Sequence, residues 1–214
     1  MLLAREYKTM QTNVIAISRA LGANGEVIGR EVAAGLGFRY LDSEIIDLAA
    51  ERVGATADEV ASAERRKGLL ARMLDNLARA NFASPEMPVD PSLFAATMGP
   101  EYPQVIVDVI REVAAQGKCV LVAHGASHAL GAGDGILRIL VTGSPDVRAA
   151  RIHKDSHGPG RARQEIDDSD RARADFLKRF YDIGEESSDQ YDLVLNTDRL
   201  SVGDAVKAVK AVAG

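Results

Sequence analysis

A glycine-containing turn stands where an apolar run of the sequence gives way to an amphipathic segment. Residues 14–17 are apolar and mostly β-branched, Gly22 and Gly25 follow, and apolar residues then recur at spacings of three and four as far as Leu36. Where such a turn opens a helix, backbone N–H groups converge and the positive end of the helix dipole favours an anion. The pattern therefore indicates a phosphate-binding turn, with a plain strand-to-helix connection as the alternative.

The residues around this turn differ from those of a complete phosphate loop. Such a loop reads G-x-x-x-x-G-K-[ST], in which the lysine meets the outer phosphates and the hydroxyl holds magnesium. Here Glu26 and Val27 follow Gly25, and the carboxylate of Glu26 competes with an anion for the same donors. Arg19 and Arg30 flank the turn, and a guanidinium can bind a phosphate through two hydrogen bonds. Either arginine could replace the lysine, although a solvent-exposed helix face is the alternative interpretation of Arg30.

Length and composition exclude several classes of protein. The chain has 214 residues and a net charge of −5, which argues against a protein that coats nucleic acids. Its apolar runs are too short to span a bilayer, and Cys119 stands alone, so neither a disulfide framework nor a cysteine zinc site is expected. The N-terminal residues lack the apolar stretch of a signal peptide. We expect a cytoplasmic protein in which Cys119 is a buried apolar residue.

Five short apolar runs alternate with helix-forming segments, which is the pattern of a parallel α/β domain. The runs cover residues 14–17, 38–42, 119–122, 136–141 and 193–195. Helices are expected after the glycine turn and over residues 43–52, 56–82, 104–116, 146–154, 164–180 and 201–212. Five prolines fall within residues 83–103, which favours a loop there.

Four sequence blocks, taken in order, resemble the cytidylate kinase-like family of P-loop nucleoside monophosphate kinases. They fall within residues 15–42, 117–126, 170–174 and 191–197, so the resemblance runs over nearly the whole chain. It implies an α/β, three-layer P-loop kinase-like fold with a central parallel sheet of about five strands. It also implies one domain over residues 1–214, with a helical insertion over about 54–104 and a lid-like region over about 148–175. The insertion would close over the acceptor or form the face of a homodimer, and the sequence does not choose between the two.

The activity implied by this resemblance is phosphoryl transfer from ATP to CMP or dCMP, with Mg²⁺. ATP would lie on the glycine turn, at Ser18, Arg19, Gly22, Ala23, Asn24, Gly25, Glu26, Val27, Ile28 and Gly29. The residues implied for the acceptor are Asp42, Ser43, His124, Asp170 and Arg171. The positive charge that phosphoryl transfer needs would come from Arg30, Arg148, Arg151 and Arg173.

Two hypotheses from different classes follow. Acidic and basic residues retained at 170–173 favour an active nucleotide kinase, whose partners are small-molecule nucleotides rather than a nucleic acid or a membrane. The alternative is a catalytically degenerate P-loop protein that binds a nucleotide and has a regulatory or interaction role. It is favoured by the missing lysine and hydroxyl, and by Ala23-Asn24 and His124, where the family has other residues. Nine basic and six acidic residues between 148 and 179 suit an anionic small substrate, or else a salt-bridged helix pair.

The four histidines fall in two pairs spaced by four residues, as in some zinc sites. The first pair lacks the usual intervening acid, and Gly158-Pro159 ends the helix that carries the second. No protein ligand to a metal is therefore predicted.

Overall fold

A computed structural model describes residues 11–42, 44, 45, 48, 52, 102–122, 125–152 and 159–214. The strands in these ranges are β1 (Val14–Arg19), β2 (Arg39–Leu41), β3 (Cys119–Leu121), β4 (Ile136–Thr142) and β5 (Leu193–Asn196). The helices are α1 (Gly25–Leu36), α2 (Tyr102–Ala115), α3 (Ala126–Leu130), α4 (Pro145–Ile152), α5 (Pro159–Tyr181) and α6 (Val202–Ala213), with a 3₁₀ turn over Ser188–Gln190. Each strand predicted from an apolar run is present.

The five strands form one parallel sheet in the order β2-β3-β1-β4-β5. β1 lies at its centre, where Val14 pairs with Cys119 of β3 on one side and with Ile136 of β4 on the other. All of β1 is buried, as expected for a parallel strand that is covered on both faces. The expected α/β fold with a five-stranded parallel sheet is confirmed.

Helices cover both faces of this sheet. On one face Val14 and Ala16 of β1 pack in a core with α2, whose Ile110 is fully buried. On the other face Ile15 of β1 packs with α1, whose Val32 is fully buried, and with α6. Successive side chains of a strand point to opposite faces, so the unbroken apolar run of β1 supplies both cores. These three layers confirm the architecture predicted from the sequence.

The strand order places a crevice between the ends of β1 and β4. The chain leaves β1 toward β2 on one side, whereas it leaves β4 toward β5 on the other side. In open α/β sheets, ligands bind at the carboxyl ends of the strands where neighbouring connections diverge in this way. The end of β1 leads into the glycine turn and the end of β4 leads into α4, so both segments border the crevice.

The structure differs from the sequence prediction at the start of α5. This helix was expected to begin at residue 164, but it begins at Pro159, because proline fits the first helical turn, where its missing N–H is no loss. The expected insertion over 54–104 lies outside the described residues except for 102–104, which begin α2. Within the described ranges, no helix is long and apolar enough to cross a membrane.

Candidate functional site

The glycine turn connects β1 to α1 with two residues in the left-handed backbone region. Gly22 has φ 74° and Asn24 has φ 65°. Glycine adopts this region without steric cost, and asparagine tolerates it better than most side chains do. Asn24 is also the N-cap residue of α1, and its side chain makes no capping hydrogen bond. Helix α1 therefore begins without a side-chain acceptor from its own cap.

Arg19 and Glu26 form an ion pair across this turn. Arg19 Nε donates to Glu26 Oε1, and Arg19 Nη2 lies 3.8 Å from Asp42 Oδ1 at the end of β2. A Cβ atom on Gly25 would lie 2.6 Å from Arg19 Cβ, so the glycine makes room for the arginine. Glu26 occupies the position that holds lysine in a complete phosphate loop, and the positive charge comes instead from the end of β1.

A second group of side chains extends from Asp42 along the surface of α1. Tyr40 Oη donates to Asp42 Oδ2 at 3.1 Å, and the guanidinium of Arg30 lies 5.1 Å from the centre of the Tyr40 ring. Burial raises the pKa of Asp42, although Arg19 opposes the shift. Burial and the Asp42 carboxylate both raise the pKa of Tyr40. Arg30 thus lies on the exposed side of α1, in a cation–π contact rather than an ion pair.

Several residues implied for ATP binding are packed in the interior. Ser18 Oγ donates to Ser127 Oγ at 3.3 Å on the sheet face opposite to Arg19. Ala23 and Ile28 are fully buried, and a Cβ on Gly29 would lie 2.6 Å from Val122 Cγ2. Val27, by contrast, is exposed on α1. The side chains of this group therefore shape the turn rather than line a pocket.

Arg148 of α4 is buried behind the turn. Its Nε donates to Gly143 O at 2.8 Å and its Nη1 to Leu21 O at 3.2 Å. Nη1 and Nη2 also hold the two carboxylate oxygens of Asp170 at 2.9 and 2.7 Å. Gly22 packs against the backbone of α4 here, since a Cβ on it would lie 2.8 Å from Arg148 O.

Arg151, one turn further along α4, also bonds to the glycine turn. Its Nη1 donates to Gly22 O at 3.0 Å and to Thr197 Oγ1 at 2.9 Å, and its Nη2 donates to Thr197 O. A trans peptide places its C=O and the following N–H on opposite sides. Because Arg148 holds the Leu21 carbonyl toward α4, the N–H of Gly22 points away from α4. The two arginines thus fix the orientation of the turn.

A cavity of about 340 Å³ opens beside the turn, at the ends of β1 and β4. Its polar lining comes mainly from Thr142, Arg148, Asp170, Arg173, Glu185 and Glu186. Its apolar lining comes from Ala20, Leu140, Ala174, Leu177 and Ile183. An apolar wall with a few converging polar groups is typical of small-molecule sites, and this volume falls within their range of about 300–1,000 Å³.

Arg173 and Glu186 form a bidentate ion pair in the wall of this cavity. Arg173 Nε and Nη2 donate to the two Glu186 oxygens at 2.8 and 2.5 Å. Tyr191 Oη donates to Glu186 as well, and His128 Nε2 lies 3.1 Å from Tyr191 Oη. Burial alone would raise the pKa of Glu186, but the nearby His128 and the hydrogen bonds from Arg173 and Tyr191 hold it well below its usual range.

Glu186, His128 and Tyr191 were not predicted as site residues from the sequence. Tyr191 opens one of the four sequence blocks, which was its only signal, and His128 lies 63 residues from it in the chain. These residues meet only because α3, the segment after α5 and the start of β5 converge in the fold.

Of the other predicted acceptor residues that the structure describes, Asp42 and Arg171 do not line the cavity. Arg171 lies on the exposed side of α5, where it donates to Asp168 Oδ1 at 2.6 Å and to Asp167 O at 3.1 Å. Ser43 and His124 lie outside the described residues. Among the residues that the structure does describe, no three histidine, cysteine or acidic side chains are grouped as a metal site would need.

The strand order, the glycine turn and the crevice define a P-loop kinase-like fold. The sequence matches the model of the Cytidylate kinase-like family over residues 14–199, and the chain belongs to that family. The resemblance seen in the sequence is thereby confirmed. A search of curated protein sequences found no match.

Solved structures share this fold at low sequence identity. An uncharacterized protein from Eubacterium ventriosum is 15% identical, with a TM-score of 0.64 over 94% of this chain and 98% of that one. The protein TT1252 from Thermus thermophilus is 19% identical, with a TM-score of 0.50 over 94% of this chain and 96% of that one. A shikimate kinase from Bacteroides thetaiotaomicron is 14% identical, with a TM-score of 0.49 over 94% of this chain and 97% of that one. At these identities the first two likenesses show a shared fold and nothing about activity.

Proposed function

We propose that the protein is an ATP-dependent nucleotide kinase that phosphorylates a nucleoside monophosphate, with CMP or dCMP as the acceptor. Membership of the cytidylate kinase-like family supports the class of reaction. The observation that carries the proposal is the cavity at the ends of β1 and β4, whose wall contains Arg173, the carboxylate of Asp170, and Ala20, which directly follows β1. The acceptor would lie in this cavity and ATP on the glycine turn.

The ATP side of the proposed site is the turn and the start of α1. The N–H of Gly22 and the uncapped first turn of α1 are donors for phosphate oxygens. The proposed positive charge comes from Arg19 and Arg30 in front of the turn and from Arg148 and Arg151 behind it. Phosphoryl transfer depends on positioning and on charge neutralisation, which arginines can provide without a covalent step.

Mg²⁺ would enter this site on the phosphates of ATP. Val27 stands where a complete phosphate loop has its hydroxyl ligand, so that ligand is missing. Mg²⁺ keeps several waters in proteins and binds through one or two carboxylates plus substrate phosphates. Glu26 and Asp42, which both lie beside Arg19, are the carboxylates that would hold the hydrated ion.

The acceptor side of the proposed site is the cavity. Arg173 is the guanidinium proposed to meet the acceptor phosphate, because a planar fork of N–H donors matches a phosphate. Asp170 lies beside it with 40% of its side chain exposed, so lone pairs that do not bind Arg148 remain for a sugar hydroxyl. The apolar wall around Leu177 would face the nucleoside.

A second candidate function is nucleotide binding without transfer. The ion pair between Arg19 and Glu26 favours it, because the position of the missing lysine holds a carboxylate that already engages the nearest arginine. A protein of this kind would bind ATP and release it unchanged, in a regulatory or interaction role.

One set of assays separates the two candidates. Purified protein is mixed with ATP, Mg²⁺ and each of the four common nucleoside monophosphates, and ADP is measured against a reaction without acceptor. We expect ADP formation that depends on CMP or dCMP and that Arg173→Ala abolishes. Arg163→Ala is the matched control, since Arg163 lies on the same helix in exposed ion pairs with Asp146 and Asp167. ATP binding by calorimetry without turnover would support the second candidate, and neither binding nor turnover would contradict both.

A further inference from the structure

The hydrogen bonds from Arg173 to Glu186 use one edge of its guanidinium. A guanidinium has two edges that can each bind an anion through parallel hydrogen bonds, namely Nε with Nη2 and Nη1 with Nη2. Glu186 takes the first edge, and Nη1 plays no part in that pair. The Arg173 side chain is only 15% exposed, and the residue lines the cavity. The pairing with Glu186 therefore fixes the plane of the guanidinium without using its second edge.

Glu186 is itself fixed by groups from two other elements. Tyr191, directly before β5, donates its hydroxyl to Glu186 Oε1, and His128 of α3 lies 3.9 Å from the same oxygen. The rings of His128 and Tyr191 are in edge-to-face contact, with 5.6 Å between their centres. Glu186 thus contacts Arg173, Tyr191 and His128, and its side chain is only 19% exposed.

We propose that Glu186, fixed by Tyr191 and His128, is a positioning residue that holds Arg173 so that the second edge of its guanidinium binds the phosphate of the nucleoside monophosphate. This inference rests on the proposed function and adds to it residues that act on the acceptor through Arg173. The chemistry recognised is a phosphate dianion, which is matched by a guanidinium whose plane is already set before binding.

The test compares Glu186→Gln with a matched pair elsewhere in the fold. Glutamine keeps the size of the side chain but turns an N–H₂ group toward one of the two N–H donors of Arg173, which displaces the guanidinium. We expect KM and Kd for CMP to rise by about tenfold or more, which corresponds to the loss of roughly one charge-assisted hydrogen bond. KM for ATP should stay unchanged. Asp192→Asn is the control, because Asp192 binds Arg138 through the same Nε and Nη2 atoms at 3.1 and 2.8 Å, away from the cavity. This control should leave both constants for CMP unchanged.

A double-mutant cycle isolates the positioning role. If Glu186 acts only through Arg173, Glu186→Gln adds nothing to the loss of CMP affinity already caused by Arg173→Ala. Tyr191→Phe should weaken CMP binding in the same direction by a smaller factor, and it serves as the second variant should Glu186→Gln fail to fold. Unchanged or tighter CMP binding in a folded Glu186→Gln or Tyr191→Phe protein would overturn the proposal, as would additive losses in the cycle.

Calorimetric binding of CMP keeps this proposal distinct from the proposed function. CMP binding that depends on Glu186, without ADP formation, would contradict the kinase activity and support the positioning role. Turnover that Glu186→Gln leaves intact would contradict the positioning role alone. Wild-type protein that binds no nucleoside monophosphate would overturn both.

Discussion

Gly22→Ala tests the packing of α4 against the glycine turn. The backbone of Gly22 is left-handed, with φ 74°, and a Cβ atom there would lie 2.8 Å from the carbonyl oxygen and 3.1 Å from the Cβ of Arg148. Gly37 offers a matched control. It is also left-handed, with φ 67°, but a Cβ on it would meet no atom within 4 Å. The first substitution adds strain and a clash, whereas the second adds strain alone.

The magnitudes follow from these two contributions. An alanine in the left-handed region costs about 1–2 kcal/mol. A Cβ forced against a neighbouring backbone adds about 1–3 kcal/mol, because α4 must shift away from the turn. We therefore expect Gly37→Ala to lower the free energy of unfolding by about 1–2 kcal/mol and Gly22→Ala by about 2–5 kcal/mol. The effect of alanine on the unfolded chain is common to both variants and cancels in the difference.

Urea denaturation of the wild type and both variants measures these free energies, provided that the free energy of unfolding falls with urea concentration at the same slope in all three proteins. Calorimetry with ATP is the second readout, and we expect Gly22→Ala to weaken ATP binding and Gly37→Ala to leave it unchanged. Equal losses of stability in the two variants, with equal ATP affinity, would refute the reasoning, since α4 would then not pack on the turn in solution.

Three further predictions concern the buried groups. The pKa of Glu186 is lower in the folded chain than the unfolded value of about 4.3, so the stability that Glu186 contributes is present above that pH and is lost on acidification. The urea midpoint should therefore fall more steeply between about pH 5 and pH 3 in the wild type than in Glu186→Gln. Parallel curves of urea midpoint against pH would contradict this. Arg148→Lys should lower the free energy of unfolding by about 2–4 kcal/mol, because an ammonium cannot donate hydrogen bonds to Gly143 O, Leu21 O and both Asp170 oxygens at once. An unchanged urea midpoint would contradict these contacts. Cys119 is fully buried, and burial raises the pKa of its thiol, so a thiol reagent should label the native protein slowly and the urea-unfolded protein fast.

Local patterns in the sequence predicted the elements that form the sheet and the turn. The apolar run before Gly22 and the helical periodicity after Gly25 each depend on neighbouring residues, and the structure has β1, the turn and α1 there. The start of α5 was missed because the proline and glycines before residue 163 resemble a loop, although proline also suits a first helical turn.

Long-range contacts explain what the sequence did not show about the site. The arginines of α4 were predicted as groups that supply charge to the phosphates, but nothing in the sequence indicated that they bond to the carbonyls of Leu21 and Gly22. Arg148 is 127 residues from Leu21, and no periodicity connects positions so far apart. Glu186 and His128 were not predicted as site residues for the same reason, since a contact between side chains of separate elements has no local pattern in the sequence.

Direct detection of the product tests the central claim. The protein is incubated with Mg²⁺, CMP and ATP labelled at the γ-phosphate, and the nucleotides are separated by anion-exchange chromatography. We predict labelled CDP that appears in equal amount with ADP and is absent with Arg173→Ala. Label that remains on ATP, or that appears only as inorganic phosphate at the same rate with and without CMP, would contradict the proposal that this protein is a nucleotide kinase.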